Sequence, residues 1–182
     1  MGTLPQADET SNQLSINEEH DESLMKLVTF TLGDEVYGID IMSLREIRVW
    51  ADTTSLPNTP SFVMGVINLR GVIVPVFDLR DRFGRGPTTP TKTHAVIIVA
   101  VSNRTIGILV DSVSDIIDLN EDDIRPVPEM EYKQESAFLS GLATVNDEMV
   151  SLIAADRLFS KEVLNALSSG NEKSGKPALE SP

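Results

Sequence analysis

The residues with the most regular chemical spacing lie in the acidic segment DLNEDDIRPVPE. Four of its oxygen-bearing side chains fall at positions one, three, five and twelve of an EF-hand calcium loop: Asp118, Asn120, Asp122 and Glu129. That loop also needs a glycine at position six for its sharp turn, and Asp123 stands there instead. The same residues fit a helical turn that Asn120 caps and whose acidic first residues complement the helix dipole. The missing glycine favours the cap over a calcium site.

Residues for acid–base or nucleophilic catalysis are few. His20 lies in an acidic stretch, and His94 stands at the head of an apolar strand, where a structural role is expected. The chain has no cysteine, no serine–glycine elbow and no glycine-rich phosphate loop followed by Lys-Ser/Thr. Asp78 and Asp81 alternate with arginines, which favours surface ion pairs over a hydrolytic carboxylate pair. The sequence therefore predicts no catalytic residue, no metal site and no cofactor.

Arg70 is the cation with the most specific context. It stands beside Gly71 at a predicted turn between two apolar strands, so the backbone defines its position. Two roles fit this placement. Arg70 could form an ion pair with Glu46, or it could offer its planar guanidinium group to carboxylate or carbonyl groups of a partner. The pattern by itself leaves both roles open.

The overall charge limits the classes of partner. The formal charge is −13, and nine carboxylates fall between Asp111 and Glu135 alone. This balance argues against nucleic acid or an anionic membrane surface as the main partner. No apolar run reaches the roughly 18–20 residues that span a bilayer, and the acidic N-terminus is unlike a secretory signal. We therefore expect a cytoplasmic protein that does not insert into the membrane.

The elements that position these residues are predicted to be short strands joined by tight turns. Four hairpins are expected, with turns at Gly33-Asp34, Arg70-Gly71, Ser102-Asn103 and Asn146-Asp147. Glycine, asparagine and aspartate tolerate the positive φ that such turns require. Four hairpins with so little helix favour small β-barrels over a parallel α/β sheet. Residues 1–24 and 168–182 have the composition of disordered tails, which leaves 25–167 as the folded part.

Three features interrupt the strand pattern. Pro75 lies inside an apolar run, and because proline cannot donate a ladder hydrogen bond it predicts a bent or bulged strand near a barrel corner. The three-residue spacing of Ile41, Leu44 and Ile47 predicts one or two helical turns. Asp156 is expected to cap a C-terminal helix whose apolar stripe packs onto a barrel.

Several segments, taken in order, resemble the CheW family of chemotaxis coupling proteins. They are FTLGDEVYGIDI (30–41), LREIR (44–48), PNTPSFVMGVINLRGVIVPVFDLRDRFG (57–84), IGILVD (106–111), VSDII (113–117) and IRPVPE (124–129). The pattern NTPxFxxGxxNLRGxxxPxxDLR is the most specific part. The resemblance implies a mainly β fold of two five-stranded SH3-like barrels packed through a shared apolar core, with short helical turns and a C-terminal helix.

The resemblance also implies a function. Members of the family are non-enzymatic adaptors that join the regulatory domain of the histidine kinase CheA to the helical hairpin tips of transmembrane chemoreceptors, in arrays at the inner face of the membrane. Carried onto this sequence, a receptor groove between the barrels would involve Leu44, Glu46, Ile47, Gly65, Asn68, Arg70 and Val72. The kinase surface is expected on the first barrel, at Val49 and Trp50.

Two alternatives stay open on the sequence. The first is the same adaptor in a chemosensory pathway that does not control motility, which only its partners would distinguish. The second is a calcium- or carboxylate-dependent enzyme. Activity lost in EDTA, or a melting temperature that shifts with calcium, would favour the second alternative.

Overall fold

The computed structural model describes residues 2–3, 24–129 and 134–169. Alternating apolar residues and tight turns produce a mainly β structure, as predicted. The strands and helices of the described residues are β1 (Leu24–Leu32), β2 (Glu35–Asp40), β3 (Leu44–Val49), β4 (Val63–Leu69), β5 (Val72–Asp78), α1 (Leu79–Arg82), β6 (Ala95–Val101), β7 (Arg104–Val110), β8 (Ser112–Asn120), β9 (Leu139–Val145), β10 (Glu148–Ile153) and α2 (Lys161–Ser169). Within the described part, neither helix is long and apolar enough to cross a membrane.

The strands form two five-stranded sheets. The terminal sheet, which holds both ends of the folded chain, has the strand order β8-β1-β2-β10-β9, and the central sheet has the order β3-β6-β7-β5-β4. All four predicted hairpins are present: β1–β2, β4–β5, β6–β7 and β9–β10. Their turns place residues at positive φ, including Gly33 (59°), Arg70 (51°), Asn103 (66°) and Asn146 (51°).

The two sheets have the same topology. Read across each sheet, successive strand pairs are antiparallel, antiparallel, parallel and antiparallel. The equivalent strands are β8 and β3, β1 and β6, β2 and β7, β10 and β5, and β9 and β4. The chain runs through them in circularly permuted order, because β1 and β2 precede the central sheet and β8 to β10 follow it.

A single backbone bridge joins the two edges of each sheet. In the central sheet, Thr54, which follows edge strand β3, pairs with Val66 of the opposite edge strand β4. In the terminal sheet, Arg125, which follows edge strand β8, pairs with Leu142 of edge strand β9. The predicted barrels are thus two five-stranded sheets, and within residues 24–129 and 134–169 each is closed by one bridge and not by a continuous ladder.

Three apolar clusters stabilise this arrangement. One cluster lies inside each sheet: Leu27, Leu119 and Leu152 belong to the terminal one, and Val76 and Ile98 to the central one. The largest cluster is shared between the sheets. It combines Val28, Phe30, Tyr37 and Ile39 of the terminal sheet with Phe77, Ile97, Val99, Ile106 and Ile108 of the central sheet. The shared apolar core implied by the family resemblance is therefore present.

The position of Pro75 follows from this pairing. Both backbone groups of Val66 bond to Thr54, at 2.8 and 2.9 Å, so Val66 and its partner Pro75 form a non-hydrogen-bonded pair between β4 and β5. The Pro75 nitrogen accordingly faces β7, where parallel pairing begins only at Val76. The pairing between β5 and β7 therefore requires no backbone N–H donor from residue 75. The predicted bulge occurs nearby but on the partner strand, where the register shifts between Val63 and Gly65.

Several local predictions need correction. Only Ile41–Ser43 form a 3-10 turn, and Leu44 and Ile47 lie in β3, where a register shift between Leu44 and Glu46 interrupts the two-residue alternation. This shift is why the apolar spacing resembled a helix.

The C-terminal helix is present, but its start and its cap differ from the prediction. Asp156 lies in a separate 3-10 turn, and the Ser160 Oγ accepts a hydrogen bond from the Val163 amide at 3.3 Å. Leu158, Phe159 and Leu164 pack into the shared core as expected. β1 begins at Leu24 and α2 ends at Ser169, so the folded part extends slightly past both predicted boundaries. The rest of the two predicted tails lies outside the described residues, apart from residues 2–3.

Candidate functional site

The Arg70 turn is a rigid, exposed corner of the central sheet. Arg70 and Gly71 both have positive φ, at 51° and 85°, which matches the twist of a two-residue hairpin. The Asn68 Oδ1 accepts a hydrogen bond from the Gly71 amide at 2.7 Å. This side-chain bond fixes the turn from within, so the position of Arg70 is set by the backbone before any partner binds.

Arg70 reaches Glu46 on the opposite edge strand. Its guanidinium group donates to the Glu46 Oε2 at 2.8 Å, and the Arg48 Nε lies 3.8 Å from the Glu46 Oε1. The side chain of Arg70 is 75% exposed, whereas that of Glu46 is 28% exposed. Glu46 therefore orients a cation that remains open to solvent. Both roles predicted for Arg70, an ion pair and an offered guanidinium group, are compatible in this geometry.

Exposed apolar side chains lie on β3 and at the start of β5, directly after the turn. Ile47 in β3 is 42% exposed, and Val72, the first residue of β5, is 56% exposed. Leu44 is half-buried against the shared core. The structure brings Glu46, Asn68 and Arg70 into one hydrogen-bonded corner, and Ile47 follows Glu46 directly in the chain.

Gly65 does not belong to the exposed face. It is buried, with φ of 130°, and a Cβ added there would stand 2.3 Å from the Thr54 carbonyl oxygen. Its place is in the closure of the central sheet, behind the Arg70 turn. Only glycine permits this approach of two backbones.

The two predicted kinase-binding residues follow Glu46 on the same edge. Val49 is 66% exposed, whereas Trp50 is half-buried and packs against the cluster inside the central sheet. Both line a cavity of about 220 Å³ that Asn68 and Val66 also line. The predicted receptor and kinase residues are therefore neighbours, with Asn68 common to the Arg70 corner and to this cavity.

The other arginines near β5 are held in structural contacts. Arg80 donates to the Asp111 Oδ2 at 2.9 Å. Arg82 donates from Nε to the Leu158 carbonyl at 2.7 Å, and its guanidinium carbon lies 4.5 Å from the centroid of the Phe138 ring. Arg70, with a side chain 75% exposed, is more open to solvent than Arg80 at 35% or Arg85 at 31%.

Arg85 belongs to a network around a buried tyrosine. It donates to the Tyr37 hydroxyl at 2.9 Å and to the Glu135 Oε2 at 2.7 Å, and it also pairs with Glu35. The Tyr37 hydroxyl lies within hydrogen-bonding distance of Glu35, at 2.6 Å, and of Glu135. Burial, and then the hydrogen bond with Glu135, raise the pKa of Tyr37. Burial lowers the pKa of Arg85, but the hydrogen bonds with Glu35 and Glu135 and the nearby negative charge together raise it above its ordinary value.

The surface ion pairs predicted for Asp78 and Asp81 are absent from the hydrogen bonds and ion pairs of the described residues. Asp78 is buried, caps α1 and accepts hydrogen bonds from the Thr88 amide at 2.6 Å and the Thr88 hydroxyl at 2.8 Å. Asp81 has one buried carboxylate oxygen without a hydrogen-bond partner. Asp78 thus ties a loop to the strand end, which is a structural role.

The calcium-loop pattern is occupied by structural contacts. Asn120 caps a 3-10 turn through its Oδ1, which accepts from the Asp122 amide at 3.1 Å, so the cap that the sequence favoured is confirmed. Asp118 pairs with Lys26 at 2.6 Å. Among residues 24–129 and 134–169, no group of three or more His, Asp or Glu side chains is placed to hold a metal ion.

Two surfaces were missed by the sequence reasoning. The first is Ile116 of β8, which is 53% exposed and is the topological counterpart of Ile47. The second is a groove of about 530 Å³ between the chain before β4 and α2, whose lining includes Leu56, Ile73 and Val163. Its apolar residues come from three distant parts of the sequence, so no local pattern could indicate it.

These features define a class of protein. Two sheets packed through a shared core, with a fixed arginine turn and exposed apolar side chains near it, are features expected of a module that binds other proteins.

The chain matches the sequence profile of the CheW-like domain over residues 26–163, and it belongs to this family. It is 40% identical over 136 residues to a probable chemotaxis protein CheW of Rhizobium etli, covering 75% of this chain and 88% of that protein. It is 41% identical over 137 residues to a chemotaxis protein CheW of Klebsiella aerogenes, covering 75% of this chain and 82% of that protein.

A solved structure agrees with this assignment. The crystal structure of the scaffolding protein TtCheW from Thermoanaerobacter tengcongensis matches with a TM-score of 0.71 and 36% identity, covering 80% of this chain and 94% of that one. The family predicted from the motifs is thereby confirmed, and with it the role of a chemotaxis adaptor.

Proposed function

We propose that this protein is a non-enzymatic adaptor that couples chemoreceptors to the histidine kinase CheA, in arrays at the cytoplasmic face of the membrane. The observation that carries the proposal is the Arg70 turn, where an exposed guanidinium group is held by Glu46 and Asn68 fixes the backbone. Asp78, Asn120 and Asp118, which the sequence suggested for catalysis or calcium binding, are engaged in a loop contact, a cap and an ion pair, which supports a binding role over catalysis.

The receptor is proposed to bind at the Arg70 corner. A helical hairpin tip offers apolar ridges flanked by carboxylates and by terminal carbonyl groups, and exposed apolar side chains beside one fixed cation suit that chemistry. Ile47, Val72 and the half-buried Leu44 would receive the apolar ridge. Arg70 would supply the polar contact and set the register of the helices on this surface.

The regulatory domain of CheA is proposed to bind next to this corner, at Val49 and Trp50. Val49 projects an exposed apolar side chain from the end of β3, and Trp50 lines the adjacent cavity. Large aromatic residues in such half-buried positions often dominate binding energy at interfaces. Because the two proposed surfaces share the edge of one sheet, both partners can act on the same strands.

Reversal of the charge at Arg70 tests the proposal. Arg70→Glu is expected to weaken binding of a soluble chemoreceptor hairpin fragment about ten-fold or more, since it places a carboxylate at the rim and beside Glu46. The melting temperature should barely change, because exposed ion pairs contribute little to stability. Calorimetric titration and thermal unfolding give the two readouts.

The terminal sheet offers a matched control. Asn146 stands in the equivalent hairpin turn with the same φ of 51°. Asn146→Glu introduces the same side chain at the same φ, with a change in net charge of one unit instead of two, and is expected to leave receptor binding unchanged. Wild-type affinity in Arg70→Glu, with an unchanged melting curve, would remove Arg70 from the receptor site.

A further inference from the structure

The proposed binding face is assembled from two opposite edges of one sheet. Glu46 lies on β3 and Arg70 follows β4, and these strands are the two ends of the order β3-β6-β7-β5-β4. In an open sheet, four strand spacings of ~4.8 Å would separate them by about 19 Å. Their side chains instead meet at 2.8 Å. The face therefore exists only while the edges of the central sheet are closed.

Few hydrogen bonds hold that closure. The Thr54 amide donates to the Val66 carbonyl at 2.9 Å, and the Val66 amide donates to the Thr54 carbonyl at 2.8 Å. The Thr53 hydroxyl adds a bond to the Met64 carbonyl at 2.7 Å. Gly65 lies between these two points and lets the backbones approach. A link this short can open locally while the four neighbouring strand pairs stay intact.

The closure also borders the proposed kinase-binding surface and the groove beside α2. Val66 lines the 220 Å³ cavity that contains Val49 and Trp50, and it lines the 530 Å³ groove beside α2. A movement of Val66 relative to Thr54 would change the shape of both cavities together. One backbone bridge is thus common to the receptor corner, the proposed kinase surface and the groove.

We propose that the Thr54–Val66 bridge is a latch that links receptor binding to the shape of the kinase-binding surface. This inference rests on the proposed function of the same face. If the receptor binds only the closed form, receptor binding and closure favour each other. The factor by which closure strengthens receptor binding equals the factor by which receptor binding stabilises the closure. Binding at the Arg70 corner therefore tightens the segment that carries Trp50, without any contact between the receptor and Trp50.

Amide hydrogen exchange of the full-length protein tests the latch. A soluble chemoreceptor hairpin fragment is the probe, and its binding is followed independently through the amide shifts of Asn68 and Gly71. On binding, exchange at the Thr54 and Val66 amides should slow about ten-fold or more, in the range of typical coupling. The equivalent amides of the terminal closure, Arg125 and Leu142, serve as the internal reference and should not change.

A pair of hydroxyl deletions provides the second test. Thr53→Val removes the bond to Met64 that supports the closure, whereas Thr59→Val removes a bond of the same kind, to the Leu56 carbonyl at 3.2 Å, elsewhere in the loop. Thr53→Val should speed exchange at Val66 and weaken receptor binding about five-fold, and Thr59→Val should do neither. The hydrogen-exchange measurement on the wild-type protein uses no substitution, so its result stands even if one of the variants fails to fold.

The outcomes separate the two claims. If the fragment shifts Asn68 and Gly71 but exchange at Thr54 and Val66 is unchanged, the receptor site stands and the latch is wrong. Slowing of equal size at Arg125 and Leu142 would also overturn the latch, because it would reflect global stabilisation. Absence of any binding to the wild-type protein would remove the proposed function and the latch with it.

Discussion

The terminal and central sheets are built on one plan but close in different ways. Gly65 and Gly141 occupy the same position, one residue before the bridging residues Val66 and Leu142. At Gly65 an added Cβ would meet the Thr54 backbone at 2.3 Å, with φ of 130°. At Gly141 it would meet the Ile124 Cγ2 at 2.4 Å and the Arg125 carbonyl oxygen at 3.1 Å. In the central closure the nearest obstacle is therefore backbone, whereas in the terminal closure it is a side chain and the facing backbone lies farther away.

The two sheets also differ in what they expose. The β4–β5 turn of the central sheet carries Arg70, fixed by Glu46, and the equivalent β9–β10 turn of the terminal sheet carries Asn146. The counterpart of Glu46 is Asp115, which accepts a hydrogen bond from the adjacent Ile116 amide at 2.7 Å. A shared framework therefore supports a cation–carboxylate corner in one sheet and a turn without a cation, Asn146-Asp147, in the other. The binding chemistry resides in a few edge and turn residues.

The largest expected effect concerns the closing glycines. Gly65→Ala should lower the free energy of unfolding by about 3–5 kcal/mol, since neither backbone can yield and the residue would be strained at positive φ. Gly141→Ala should cost about 1–3 kcal/mol, because the added Cβ overpacks against the Ile124 side chain while the facing backbone stays 3.1 Å away. Urea unfolding of the two variants measures the difference. Equal losses would contradict the distinction between a backbone clash and a side-chain clash.

The next effect concerns proline in equivalent strands. Ser151 corresponds to Pro75, but β10 pairs with β2 from Val150 to Ile153, whereas β5 pairs with β7 only from Val76. Ser151→Pro should therefore remove a ladder hydrogen bond and cost about 3 kcal/mol or more. Pro75→Ala should change stability by less than about 1 kcal/mol, since no donor is required there. Thermal unfolding provides the measurement, and a large loss in Pro75→Ala would refute the assigned direction of its nitrogen.

A smaller effect concerns two equivalent buried residues on the middle strands of the two sheets, β2 and β7. Tyr37 in the terminal sheet is the counterpart of Ile106 in the central sheet, and both are fully buried in the shared core. Tyr37→Phe should cost about 1–3 kcal/mol, because Glu35, Glu135 and Arg85 lose their common partner. Urea unfolding at neutral pH measures this loss.

The raised pKa of Tyr37 predicts that the free energy of unfolding depends on pH. Because burial and the hydrogen bond with Glu135 raise the pKa of Tyr37, the native state holds the phenol proton more tightly than the unfolded chain. The stabilisation is fully present below the ordinary tyrosine pKa of about 10 and falls as the pH rises above it. Stability of the wild type should therefore decline more steeply than that of Tyr37→Phe above about pH 10. Parallel declines would show that the network does not hold the proton.

Local chemistry explains which parts of the fold the sequence could predict. The four hairpins were predictable because residues such as Gly71 and Asn146 indicate turns directly. Strand β3 was not, because the register shift between Leu44 and Glu46 removes its alternation. The repetition of one topology in the two sheets could not be predicted either, because the chain runs through the equivalent strands in circularly permuted order and shows no sequence repeat of fixed period.

The candidate site likewise has a part that the sequence could predict and a part that it could not. Arg70 could be singled out from the sequence, because its turn and its apolar flanks are adjacent in the chain. The placement of Gly65 in the closure, and the occupation of Arg80 by Asp111, depend on contacts between distant segments. A surface cation and a structural cation look alike in sequence, and only the tertiary structure separates Arg70 from its neighbours.

The most direct test of the adaptor account is one NMR experiment on the isotope-labelled full-length protein. The regulatory domain of CheA and the receptor hairpin fragment are added in turn, and the amide and Trp50 indole signals are followed. The account predicts saturable shifts at Val49 and Trp50 with the kinase domain, further shifts at Asn68 and Gly71 with the receptor, and a complex that retains both. Mutually exclusive binding, or shifts centred on the Asn146 turn of the terminal sheet, would contradict it.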